Sequence, residues 1–150
     1  MRLAHVVLPG SSHPQLVVVT PRGAVAVAGL YDGAPHDLPQ LIAGGDEARA
    51  RVAAASADAP GIALEGLPFG PAVPAPPVVL AIGLNYAAHS SELGLKADTA
   101  PTVFVLWPNS LSAHEQTTTW PRTLSESVDY EAELGVIIGR PAKAVAEADA

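Results

Sequence analysis

The sequence predicts an α+β chain in which a small N-terminal module is joined by a proline-rich segment to the start of a larger domain. Three observations support this class. Short β-branched runs and a helical pattern fill residues 1–70, five prolines crowd residues 68–77, and apolar and acidic residues alternate over residues 128–139. We therefore expect a small α/β module at 1–70, a linker at 71–77 and the larger domain at 78–150.

The N-terminal module is predicted to contain a small β-meander followed by a helix. Three short runs, rich in β-branched residues or alanine, are separated by turn-forming clusters and occupy residues 4–8, 16–20 and 24–30. A helix is expected next, because Leu38, Leu41 and Ile42 recur at the spacing of one helix face. The following residues 46–57 are rich in Ala, Glu and Arg.

No catalytic or metal chemistry is expected from this module. Its histidines, His5, His13 and His36, are isolated, and no second metal-ligating side chain follows any of them at helix or strand spacing. Each is therefore expected to be a surface or loop residue.

Composition restricts the functions that remain. The chain has no cysteine, which excludes disulfides, thiolate nucleophiles and thiolate zinc sites. A formal net charge of -7 with only eight Lys and Arg residues provides no basic patch for nucleic acid. No apolar run approaches the roughly 18 residues of a membrane span, and the N-terminus lacks the layout of a signal peptide. We expect a cytoplasmic protein with neither nucleic-acid nor membrane partners.

The larger domain is predicted to begin with a strand and a short helix. Five prolines at residues 68–77 prevent that segment from joining a sheet interior or continuing a helix. Residues 78–82 then form a short apolar run of the kind found in buried strands. Asn85 is a favoured N-cap for the helix that follows, and Gly94 is suited to end it.

His89 and Glu92 are three residues apart on this predicted helix and therefore share a face. Such a pair can act as an acid-base dyad, in which the carboxylate orients the imidazole and the ring takes a proton from water. The same spacing fits a solvated pair on an exposed helix, and spacing alone leaves both interpretations open. Tyr86 is equally suited to packing and to hydrogen bonding with a ligand.

Residues 128–139 carry the most informative pattern, because their apolar and acidic residues alternate with the period of a β-strand. Asp129, Glu131 and Glu133 would project from one face, opposite Val128, Tyr130, Ala132, Leu134, Val136 and Ile138. Adjacent carboxylates repel one another, so a cation is expected beside them, and oxygen ligands favour Mg²⁺ or Ca²⁺. The alternative is a solvated acidic face on an edge strand.

Three segments together resemble the fumarylacetoacetate hydrolase family. Residues 79–92 read VLAIGLNYAAHSSE, residues 101–111 read PTVFVLWPNSL, and residues 128–139 read VDYEAELGVIIG. They occur in the order and spacing that members of that family show. The resemblance covers about residues 78–150, while residues 1–70 look like the variable small N-terminal domain of many bacterial members.

This resemblance implies a mixed β-sandwich roll, usually a homodimer, with a Mg²⁺ or Mn²⁺ site. Members act on 2-oxo acids and acylpyruvate-like compounds by hydrolysis of a C–C bond, decarboxylation, isomerisation or hydration. In that pattern Glu131 and Glu133 match the paired metal ligands, and His89 with Glu92 matches the dyad that activates water. The neighbouring residues Asn85 and Tyr86 are assigned to substrate binding.

Two departures from the family pattern affect these expectations. Leu106 stands where members often carry a lysine, so a cationic donor for an anionic substrate group is missing. The family also completes its metal site with an aspartate on a further strand, which this chain does not reach. We therefore expect residues 1–150 to be the N-terminal part of a longer protein and to be inactive alone. The alternative is a non-catalytic fragment that binds a small acid or dimerises.

Overall fold

The computed structural model describes residues 1–94 and 102–150, and it confirms the α+β class. The described residues contain five strands: β1 Leu3–Val6, β2 Gln15–Thr20, β3 Gly23–Ala26, β4 Val79–Gly83 and β5 Thr102–Leu106. They also contain three α-helices: α1 Leu38–Ala43, α2 Gly45–Ala57 and α3 Ala87–Glu92. Pro101, the first residue of the second family-like segment, lies outside the described residues.

The first three strands form an antiparallel sheet in the order β1-β2-β3. They fall within or beside the predicted runs, and the third strand is shorter than the pattern suggested. The turn between β2 and β3 requires glycine at its end, because Gly23 has a φ of 112° and a Cβ there would overlap the carbonyl of Ile62.

Helices α1 and α2 cover one face of this sheet and enclose the core. Asp37 caps α1, since its Oδ1 accepts from the backbone N–H of Gln40 at 2.8 Å. Leu41 of α1 and Val52 of α2 pack in one buried cluster with residues of the sheet. A second cluster on the other face is formed by Val6, Leu8, Val17 and Ala24. Leu64, Leu67 and Phe69 pack against this second cluster, so the N-terminal module has a core on both faces of its sheet.

The chain after α2 covers both edges of the sheet. Ile62 pairs with Ala24 on β3, and Phe69 pairs with Val6 on β1. Backbone hydrogen bonds of 2.8 Å also join Pro68 to Val7 and Gly70 to His5, where the N–H of Val7 and that of Gly70 donate. These contacts protect edge strands that would otherwise expose unpaired backbone groups.

The proline-rich segment is therefore partly attached to the module, although the sequence predicted a linker at residues 71–77. Phe69 and Val73 pack against the two core clusters. The expectation that this segment avoids a sheet interior agrees with its position, because it lies at the edge of β1. The domain boundaries at residues 70 and 77 stay predictions.

Strands β4 and β5 form a separate two-stranded antiparallel sheet in which Val79 faces Leu106 and Gly83 faces Thr102. Its apolar side chains are largely exposed, as Leu80 at 57% and Phe104 at 48% show. Across the described ranges, no helix is both long and apolar enough to cross a bilayer. The sandwich roll implied by the family resemblance stays a prediction.

The strand expected over residues 128–139 does not form. The segment has no regular secondary structure, and Tyr130 and Leu134, on the predicted apolar face, are 92% and 81% exposed. A strand needs a neighbour that accepts and donates its backbone hydrogen bonds. Within residues 1–94 and 102–150 no strand pairs with this segment, so alternation alone does not produce a ladder. A short 3₁₀ turn, Glu147–Asp149, lies close to the end of the described residues.

Candidate functional site

A strained turn connects β4 to the helix that carries His89. Leu84 follows the last residue of β4 with a φ of 57°, in the left-handed region. For a residue with a branched side chain this conformation is disfavoured by roughly 1–2 kcal/mol. The hydroxyl of Ser90 donates to the Leu84 carbonyl at 3.1 Å, and Ser90 is only 2% exposed. Ser90 therefore joins the helix to the turn.

Helix α3 begins one residue later than the sequence predicted. Tyr86, in an extended conformation, occupies the N-cap position and makes no side-chain capping bond. The prediction that Asn85 caps the helix is therefore wrong, and the Asn85 side chain is exposed. The backbone N–H of Ser90 donates to the Tyr86 carbonyl at 3.1 Å, which closes the first turn. Gly94 follows the helix with a φ of 65°, as expected for a residue at a helix end.

His89 and Glu92 lie on one face of α3, and the structure brings their side chains together. Nδ1 of His89 is 3.9 Å from Oε2 of Glu92. This separation is an ion-pair distance and is too long for a hydrogen bond. Both side chains face solvent, at 53% and 78% exposure. The two side chains are therefore neighbours on a helix face open to water, an arrangement that fits both the dyad and the solvated pair.

Glu131 and Glu133 lie in the segment that lacks regular structure, and both are exposed. In the part of the chain that the structure describes, neither forms a salt bridge, and no group of three acidic or histidine side chains is placed to hold a metal. Carboxylate oxygens are the donors that Mg²⁺ and Mn²⁺ prefer. The donor chemistry fits such an ion, and these residues would provide two of its ligands.

One hydrogen bond links the acidic segment to the helix of the dyad. The backbone N–H of Leu134 donates to the hydroxyl oxygen of Tyr86 at 3.3 Å. Leu134 directly follows Glu133, and Tyr86 directly precedes α3. This contact places the predicted metal ligands and the predicted dyad in the same region of the surface. The Tyr86 hydroxyl accepts in this bond, so its O–H can still donate to a ligand.

Two features escaped the sequence analysis because their signals are tertiary. An open surface depression of about 300 Å³ is lined by Thr118, Thr119, Trp120, Arg122, Ser125 and Glu126. The burial of Ser90 was also missed, since a serine between two exposed helical residues has no distinctive pattern.

The expectation for His5 was wrong, whereas His13 and His36 are exposed as expected. His5 lies in β1 at 4% exposure, and its Nδ1 donates to the Ala72 carbonyl at 3.1 Å. Burial lowers the pKa of this imidazole, and the bond to Ala72 and the charge of Asp37 partly oppose that change. His5 is therefore a structural residue that holds the proline-rich segment.

Comparison with known proteins identifies the family of the second half. Residues 78–150 match the model of the fumarylacetoacetate (FAA) hydrolase C-terminal domain. Residues 78–150 therefore belong to the fumarylacetoacetate hydrolase family, as the three sequence segments indicated.

Individual relatives agree with this assignment. The chain is 48% identical over 81 residues to the homoprotocatechuate catabolism bifunctional isomerase/decarboxylase of Escherichia coli, covering 53% of this chain and 19% of that protein. It is 39% identical over 75 residues to the fumarylacetoacetate hydrolase domain-containing protein 2 homolog of Dictyostelium discoideum, covering 50% of this chain and 24% of that protein. The curated relatives named here are thus four to five times longer than the matched segment.

A solved structure extends the likeness to most of the chain. The crystal structure of an HpcE-like protein from Mycobacterium smegmatis superposes with a TM-score of 0.57 at 28% identity. The superposition covers 81% of this chain and 41% of that one. Because 81% exceeds the share matched by the family model, the likeness extends into the N-terminal half as well.

Proposed function

We propose that the protein carrying this sequence is a divalent-metal-dependent hydrolase or lyase that acts on a C–C bond of a 2-oxo acid or an acylpyruvate-like compound. The observation that carries the proposal is the family match over residues 78–150, which contains the His89–Glu92 pair at 3.9 Å and both predicted metal ligands. Relatives named as an isomerase/decarboxylase and as fumarylacetoacetate hydrolase domain proteins support an enzyme of this chemistry.

Glu131 and Glu133 would hold the Mg²⁺ or Mn²⁺ ion, which supplies positive charge where a bound 2-oxo acid develops an enolate. His89 accepts a proton from the attacking water or from an acidic carbon. Since Nδ1 faces Glu92, the free base is Nε2 of the imidazole. Glu92 orients the ring and stabilises it once it is protonated.

Asn85 and Tyr86 bind the substrate in this proposal. Both precede the dyad helix, and the Tyr86 hydroxyl lies next to the backbone that follows Glu133. The phenolic O–H and the amide of Asn85 can donate to carboxylate or keto oxygens. Leu106 in β5 supplies no charge, so neutral donors such as Asn85 and Tyr86 would bind the substrate's anionic groups, with the ion that Glu131 and Glu133 would hold supplying the positive charge.

The assembly in which this chemistry occurs is also proposed. Residues 1–70 form the small domain, residues 71–77 the linker and residues 78–150 the first part of the catalytic domain. We propose that the protein is a cytoplasmic homodimer. Its ligand is a small 2-oxo acid, and it binds neither nucleic acid nor membranes. A formal net charge of -7 is consistent with a protein that does not bind phosphate backbones.

A metal titration tests the proposal. In the full-length protein, Glu131→Gln or Glu133→Gln should weaken Mn²⁺ binding roughly tenfold or more, because each removes one of few charged ligands. Calorimetry measures the affinity, and turnover of acetylpyruvate with Mn²⁺ and with a chelator measures the activity. Glu147→Gln, an exposed acid in the 3₁₀ turn, is the matched control.

The outcomes separate the two candidate functions. Turnover that requires Mn²⁺ and falls in both glutamine variants supports the enzyme. Binding of acetylpyruvate or oxalate without turnover would favour the non-catalytic alternative. Unchanged Mn²⁺ affinity in both variants would refute the assignment of Glu131 and Glu133 as metal ligands.

A further inference from the structure

Ser90 is unusual in its surroundings. In the described part of residues 78–150, it is the one buried residue, at 2% exposure, while His89 and Ser91 on either side are exposed. A serine is an uncommon choice for the only buried position of a helix, since a hydroxyl withdrawn from water must be hydrogen-bonded. Its burial therefore calls for a partner, and the partner is the carbonyl of Leu84.

The direction of this bond distinguishes it from ordinary serine contacts in helices. Helical serines usually donate to a carbonyl three or four residues earlier in the same helix. Ser90 donates instead to Leu84, six residues earlier and outside α3, at 3.1 Å. Its backbone N–H separately donates to the Tyr86 carbonyl. One residue thus binds both the first turn of the helix and the loop before it.

The bond acts on a strained residue. Leu84 has a φ of 57°, and such a conformation persists in a residue with a side chain only where the surroundings hold it. The Leu84 side chain is 38% exposed, so its own packing provides limited restraint. The hydrogen bond from Ser90 is the contact that holds the Leu84 carbonyl in place.

The helix itself needs such a restraint. Helix α3 has six residues, and a helix of this length is marginal without tertiary contacts. Its N-cap, Tyr86, makes no side-chain capping bond. The Ser90 hydroxyl does not cap the N–H groups of the first turn, because it donates to a carbonyl, but it joins α3 to the end of β4 through the turn.

We propose that Ser90 is a positioning residue for His89, acting through the hydrogen bond that holds the strained Leu84 turn and thereby sets the direction of α3. This inference rests on the proposed function, in which His89 is the base. Because the hydroxyl donates to the Leu84 carbonyl and Ser90 is buried, we assign it no contact with substrate or metal. The Ser90 hydroxyl holds the helix at the residue next to His89. Its loss therefore displaces the His89 imidazole without removing it.

Three variants and a matched control test the proposal in the full-length protein. Ser90→Ala removes the hydroxyl from the buried residue, and Ser91→Ala makes the same change on the exposed neighbour. Leu84→Gly relieves the strain, because glycine adopts positive φ readily. The double variant combines Leu84→Gly with Ser90→Ala.

The first readout is amide hydrogen exchange over residues 87–92 in metal-free protein. Ser90→Ala should raise the exchange rate about fivefold to tenfold, as expected for the loss of one buried hydrogen bond, and Ser91→Ala should leave it within about twofold. In the Leu84→Gly background, the same Ser90→Ala change should have a smaller effect. Equal exchange in Ser90→Ala and Ser91→Ala would overturn the proposal.

The second readout is a split between kcat and KM for acetylpyruvate with Mn²⁺. Ser90→Ala should lower kcat roughly tenfold while KM and the Mn²⁺ affinity stay within about twofold, because binding groups are intact and only the base is misplaced. An unchanged kcat, or a loss that Leu84→Gly does not reduce, would refute the positioning role. Absence of turnover in the wild type would refute the proposed function instead, and the exchange measurement still decides whether Ser90 holds the turn.

Discussion

The two halves of this chain differ in where their apolar residues lie. In residues 1–70 both faces of the three-stranded sheet are covered, and side chains such as Val17 and Val52 are completely buried. In the described part of residues 78–150 large apolar side chains face solvent, and Ser90 is the one buried residue. The half with a core carries no predicted chemistry, while the described residues of the half with the family motifs form no buried apolar cluster. Stability and chemistry are therefore separated along the chain.

The largest expected effect concerns the half that carries the motifs. His89→Ala in the full-length protein should lower kcat by roughly 10² to 10⁴, the usual contribution of a general base, with little change in Mn²⁺ affinity. Steady-state kinetics with acetylpyruvate measures it. The matched control is His114→Ala, because His114 is similarly exposed and lies 3.7 Å from Glu115. Equal losses of kcat in the two variants would show that the His89–Glu92 pair has no special role.

Alanine substitutions at one buried and one exposed leucine compare how much each half contributes to stability. Leu41→Ala in α1 should reduce the free energy of unfolding by about 2–5 kcal/mol, because Leu41 is 1% exposed and leaves a cavity. The same change at Leu134, which is 81% exposed, should alter it by about 0.5 kcal/mol or less. Urea denaturation of the 150-residue chain measures both. Similar losses at the two positions would show that the second half has a core in solution.

The smallest effect is a pH dependence within the module. Burial lowers the pKa of His5 below its value in the unfolded chain, so the unfolded state binds more protons once the pH falls towards 6.5. The module should therefore lose stability as the pH falls through 6.5, and keep the full contribution above that value. Urea midpoints measured at about pH 8 and about pH 5.5 test this.

Two variants control the pH experiment. His5→Gln should reduce the difference between the two midpoints, because no buried imidazole remains to be protonated. His13→Gln, at an exposed position, should leave the difference unchanged. A wild-type protein that is as stable at the lower pH as at the higher one would contradict the burial of a neutral His5.

Features with a local signal in the sequence were predicted correctly. The α+β class, the family and the pairing of His89 with Glu92 on one helix face followed from short motifs and spacing. The predictions of the Asn85 cap, of the position of His5 and of the strand at residues 128–139 were wrong. For His5 and for the strand the outcome depends on a partner distant in sequence, the Ala72 carbonyl or a neighbouring strand, whereas Asn85 adjoins the strained turn at Leu84.

The amino-acid sequence by itself thus determined which chemical groups this protein has and how they are spaced along the chain. Sequence order and the periods of helix and strand are properties of the local chain. Which of those groups are buried, strained or brought together was decided by tertiary contacts. The hydroxyl of Ser90 holds Leu84, the hydroxyl of Tyr86 meets Leu134, and Ala72 meets the ring of His5. The last contact joins residues 67 positions apart, and burial of this kind depends on how the elements pack, which a periodic pattern does not encode.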